Sequence, residues 1–153
     1  MYVKKNIVYV LRYDFGNGEP IKPRYLIVID NDNESSLVLS VVTSQNHIPD
    51  YLIKHGCILE PENRIHCHVF LKNEVIGEAG FKFPLDSFIY VNSSGIFDAN
   101  SQLLQQKYSN ISEVKDCLTN EEFSNLIYCI YKSAYIPRGI KRKIEATLHD
   151  ICE

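Results

Sequence analysis

DFGNGEPIKPRYLIVIDNDNESSLVLSVVTS, residues 14–44, sets two apolar runs around a polar turn and a glycine- and proline-bearing loop ahead of them. Gly16, Asn17, Gly18, Pro20 and Pro23 mark 14–23 as a loop, because glycine and asparagine tolerate left-handed backbone and proline fixes φ. RYLIVI (24–29) is a short continuous apolar run, the pattern of a strand buried on both faces. LVLSVV (37–42) reads as its partner, with DNDNESS (30–36) as the turn between them. Such a hairpin brings Arg24 and Thr43 to the same open end, opposite the turn.

Working outward, NIVYVLRY (6–13), IHCHVFL (65–71) and SFIYV (87–91) are rich in β-branched and aromatic residues and read as further strands. Strand alternation puts His66 and His68 on one face of their run and Cys67 on the other. Pro49, Gly56 and Pro61 break up 46–64, and Gly77, Gly80 and Pro84 break up 72–86. Five or six short strands with such turns predict a small barrel or sandwich. The last third changes period. Thr119 and Glu122 form a capping box, followed by Phe123, Leu126, Ile127, Ile130, Tyr131 and Ala134 at helical spacing. Pro137 suits the first turn of a basic helix over 138–150, and 101–108 reads as another short helix. The expected class is α+β, β-rich, with two or three C-terminal helices.

The 153 residues are 45% hydrophobic and 23% charged, enough for a normal core and inconsistent with disorder. A formal net charge of -3 gives no global basic field. Lys132, Arg138, Lys141, Arg142 and Lys143 nevertheless form an acid-free strip, which reads either as a solvated helix face or as a contact for phosphates. Five cysteines without a CxxC pair, no apolar leader and no long apolar run lead to the expectation of a cytoplasmic protein with reduced thiols and no membrane partner. Packing accounts for Cys129 within its apolar helical stripe.

Arg24 is the first candidate for chemistry, since a planar guanidinium at a strand start can present its fork to a phosphate or carboxylate. Thr43 and Ser44 end the neighbouring strand. The alternative is an arginine paired with Glu19 or Asp14 and a Thr-Ser that only opens a turn. His66 and His68, with Cys57 as a third group, have the spacing of metal ligands, but no second pair closes a four-coordinate site, so neither a metal nor another cofactor is expected.

Gly18-Glu19, then Lys22-Pro23-Arg24 leading into LIVI, then SVVTS, resembles the MazF/PemK-type mRNA interferases, toxins of type II toxin–antitoxin systems. The resemblance covers roughly 6–45 well and 65–92 loosely. It implies an SH3-like barrel over 1–98, with 99–153 as a helical extension packed on it in one unit. It further implies a homodimer, single-stranded RNA as substrate and an antitoxin peptide competing for the same groove. Arg24 matches the family's catalytic arginine, Thr43 and Ser44 its Thr-Ser, and Gly18 and Glu19 its substrate loop. The chain departs from the family at Tyr25 and at Val41 or Val42, where the family has prolines. The implied reaction is metal-free attack by the RNA 2′-hydroxyl, which needs a base, a proton for the leaving oxygen and positive charge on the phosphorane. Glu19, His47 and Asp86 are the candidate bases, and His47 titrates nearest the useful range. The alternative is a binding module of the same fold without the reaction, with the helices covering the groove.

Overall fold

The 24–42 hairpin lies at the centre of the larger of two antiparallel sheets. The computed structural model describes residues 2–14, 18, 20–31, 36–43, 48–91, 96–99, 106–133 and 136–152. Its strands are β1 (Asn6–Tyr13), β2 (Lys22–Asn31), β3 (Ser36–Val41), β4 (Gly56–Glu60), β5 (Ile65–Phe70), β6 (Ser87–Tyr90), β7 (Ile96–Ala99) and β8 (Ser112–Cys117). Two helices follow, α1 (Asn120–Tyr131) and α2 (Arg138–Cys152). A five-stranded sheet has the order β7-β3-β2-β1-β8, and a three-stranded sheet has the order β4-β5-β6. They meet at one corner, where Val42 and Phe88 exchange backbone hydrogen bonds of 2.9 and 2.7 Å. The class is therefore α+β and β-rich, as expected.

Alternation along β2 divides the interior. Ile27 and Ile29 face the main core with Ile7, Leu37, Leu39, Phe70 and Ile89 and with Phe123, Leu126, Ile127 and Ile130 of α1. Leu26 and Val28 face the other way, against Val8, Val10, Tyr13, Val38 and Tyr108. A third cluster, with Ile48, Ile58, Cys67, Val69 and Phe88, lies behind the small sheet. β2 is thus buried on both faces, as its unbroken apolar run requires.

Half of the capping box forms. Thr119 Oγ1 accepts from the Glu122 backbone N–H at 3.2 Å, while the Glu122 carboxylate meets His55 at 2.7 Å instead of turning back to the cap. Pro137 precedes α2 and its carbonyl accepts from Lys141 N–H, so the proline opens the helix without costing it a bond. Ile144 and Thr147 of α2 are buried, and Lys141 lies over the Tyr131 ring at 5.2 Å.

Three strands were not legible. β4 has only five residues and begins at Gly56, whose φ is +106°. β8 (SEVKDC) shows no apolar alternation, because it is an edge strand with Val114 exposed. β7 is four residues long. The segment expected to be a helical extension from 99 onward therefore supplies β8 to the large sheet. Of the short helix expected over 101–108, residues 106–108 are helical and 101–105 lie outside the described residues.

Asp116 at the end of β8 holds the 77–81 turn. Its carboxylate accepts from the backbone N–H groups of Ala79, Phe81 and Cys117 at 2.7–3.2 Å. Gly77 passes so close to this carboxylate that a Cβ there would collide with it, and would sit 2.8 Å from Phe81 Cβ.

Candidate functional site

Arg24 stands near the start of β2, opposite Val10 of β1. Its Nη1 donates to the Val41 carbonyl at 3.2 Å. Thr43, two residues beyond Val41, is exposed. The hairpin register, with Tyr25 opposite Val41, thus brings Arg24 and Thr43 to one end, as the run lengths suggested. The corner bridge between Val42 and Phe88 also brings the Asp86 end of β6 to the Thr43 end of β3. The Asp86 carboxylate accepts from the Lys72 N–H at 3.0 Å, so one of its oxygens is already engaged. Gly18 is exposed with φ +84°, a left-handed turn that glycine adopts readily. Glu19, Ser44 and His47 lie outside the described residues.

The surroundings of Arg24 are aromatic. Its side chain is 9% exposed and shares its face of β2 with Leu26 and Val28. Tyr13 packs on Tyr108 with ring centroids 5.3 Å apart, and the Tyr108 hydroxyl donates to the Asp14 carbonyl at 3.3 Å. Burial raises the Tyr13 pKa, and the nearby Arg24 guanidinium offsets part of that rise. Neither Tyr13 nor Tyr108 stood out in the sequence, because an aromatic beside an apolar run reads as core. Tyr25 points to the opposite face and packs on Phe81 and Phe83. Both helices also contribute to that opposite core, so the element expected to cover an RNA groove lies across the sheet from Arg24.

A second cluster lies under α1. Cys57 of β4 and Cys129 of α1 form a disulfide, 72 residues apart in sequence, which corrects the expectation that all thiols are reduced. No spacing rule could have paired them; the docking of α1 on the small sheet does. His66 and His68 share the face of β5 that looks toward the main core, as alternation required. His66 Nε2–H donates to the Cys129 carbonyl at 2.6 Å. His68 is fully buried, edge-on to Phe70, and neither ring nitrogen has a hydrogen-bond partner. Desolvation pushes its pKa down to about 3, so the ring is neutral. Beside it His55 accepts from Leu71 N–H through Nδ1 at 3.1 Å, leaving Nε2–H to donate to Glu122.

No helix among the described residues is long and apolar enough to cross a membrane. No protein-family model matches this chain, and no curated protein sequence matches it.

Proposed function

We propose that the protein is an RNA-handling barrel of MazF/PemK-like type that cleaves single-stranded RNA by 2′-hydroxyl attack without a metal. The observation that carries the proposal is the position of Arg24, tied to the Val41 carbonyl two residues before the exposed Thr43. A guanidinium held this way can take charge from a phosphorane oxygen, and Thr43 lies at the same end of the hairpin. The antiparallel corner brings the Asp86 end of β6 to the Thr43 end of β3, which makes Asp86 the candidate base in this reading. The SH3-like character of the barrel, homodimer formation, competition by an antitoxin peptide and cytoplasmic residence are carried by the resemblance alone.

A long single-stranded RNA incubated with purified protein in EDTA is expected to yield ends bearing 2′,3′-cyclic phosphate. Arg24→Ala should lower the rate about 10²–10³-fold, the scale of losing one transition-state donor. Intact RNA with folded wild-type protein would end the enzymatic reading.

One observation favours a second reading, a binding module without the reaction. At 9% exposure, Arg24 is packed as a structural arginine is, with its fork turned to the backbone. The α2 strip then becomes the nucleic-acid contact, with Arg138, Lys141 and Arg142, and the acidic Glu145 beside them, around a shallow depression. RNA binding without cleavage, weakening steeply with salt and lost on Lys141→Glu/Arg142→Glu but not on Arg24→Ala, would support this module.

A further inference from the structure

The cluster under α1 has the composition of a soft-metal site. One ligand atom each from Cys57, His66 and Cys129 lies within 4.8 Å of the other two. A tetrahedral zinc with Zn–S of about 2.3 Å holds two sulfurs about 3.8 Å apart, so the ion enters only once the S–S bond has been reduced. Two thiolates and an imidazole favour zinc over magnesium or calcium, which take oxygen ligands.

Two further features point to a cation. The His66 Nε2–H is committed to the Cys129 carbonyl, which leaves Nδ1 as the nitrogen with the lone pair and fixes the ring. His68 pairs across the sheet with Cys57, on the same face as His66, and carries two ring nitrogens without hydrogen bonds in a fully buried position. Burying an imidazole in that state is costly unless a partner arrives.

We propose that the reduced chain binds one zinc ion through the Cys57 and Cys129 thiolates and the His66 imidazole, tying β4, β5 and α1 together. The disulfide is the metal-free, oxidised form of the same site. A thiol reductant supplies two electrons and two protons to the S–S bond and is itself oxidised to a disulfide. Zinc then displaces the two thiol protons as two S–Zn bonds form. A low-molecular-weight disulfide reverses the sequence, oxidising the two thiolates, releasing zinc and leaving two reduced small thiols. The site does not depend on the RNA reading, since it lies on the other side of the large sheet from Arg24.

The test titrates the full-length chain with cobalt(II) as a zinc surrogate, after reduction by a phosphine and under argon. Expected are one equivalent bound, thiolate-to-cobalt charge transfer in the near ultraviolet, visible bands of tetrahedral cobalt, and bleaching by zinc. The disulfide form, Cys57→Ser and His66→Gln should lose the signal, while Cys117→Ser should keep it. A variant can misfold, so the wild-type chain is also alkylated with and without zinc and mapped by mass spectrometry. Zinc should shield residues 57 and 129 and leave 117 reactive. Absence of cobalt binding by the folded reduced chain, or equal alkylation of 57 and 129 with and without zinc, overturns the proposal.

Discussion

Single residues here act mainly through backbone. Asp116 has no obvious role in the sequence, yet its carboxylate gathers three backbone N–H groups and fixes the turn that carries Gly77. Gly77→Ala is therefore expected to destabilise by about 1–3 kcal/mol, since the added methyl must displace that carboxylate or the turn itself. Urea denaturation measures this, and an unchanged midpoint would show that the turn relaxes freely. Gly80, in the same turn, has φ +94° but open space around a Cβ, so its substitution tests backbone strain alone. Arg24 stood out at the same scale, because a cation opening an apolar run is conspicuous, but its hydrogen bond to Val41 required the register of two strands.

At the scale of elements, α1 is not an appendage. Phe123, Leu126, Ile127 and Ile130 are 0–3% exposed within the main core, and Cys129 is covalently joined to β4. Leu126→Ala should cost about 2–5 kcal/mol, read as a lower urea midpoint or melting temperature. A shift below 0.5 kcal/mol would mean that α1 docks only loosely. Truncation before Thr119 should leave an aggregating fragment by size-exclusion chromatography, because it would bare the core face of both sheets. A monomeric, folded fragment would restore the picture of a separate helical arm. The apolar stripe and Thr119 announced this helix clearly. β8 passed unnoticed because an edge strand needs backbone partners, supplied by β1, more than it needs a side-chain pattern.

For the molecule as a whole, burial of phenols sets an alkaline limit. Desolvation raises the pKa of Tyr2 and Tyr13, and that of Tyr90 to about 12. The fold accommodates the neutral phenol, whereas the unfolded chain releases its protons near pH 10. This contribution is complete below pH 10 and is lost as pH rises through about 12 for Tyr90, so stability falls across that window. In an ultraviolet titration Tyr2, Tyr13 and Tyr90 should ionise only above pH 10, coinciding with loss of circular dichroism. Ionisation of all of them in a single step near pH 10 with the dichroism intact would contradict this.

The order of apolar runs, glycine loops and the capped amphipathic stripe determined that the chain is a β-rich α+β protein with Arg24 and Thr43 at one end of a hairpin. Those properties are local: strand alternation, turn chemistry and helical periodicity act over a few residues. Only the tertiary structure decided that the helices lie across the sheet from Arg24, that residues 112–117 complete that sheet, and that Cys129 meets Cys57 and His66. These facts depend on which faces dock, and a docking choice is made by the summed burial of residues far apart in sequence. No spacing along the chain encodes that sum.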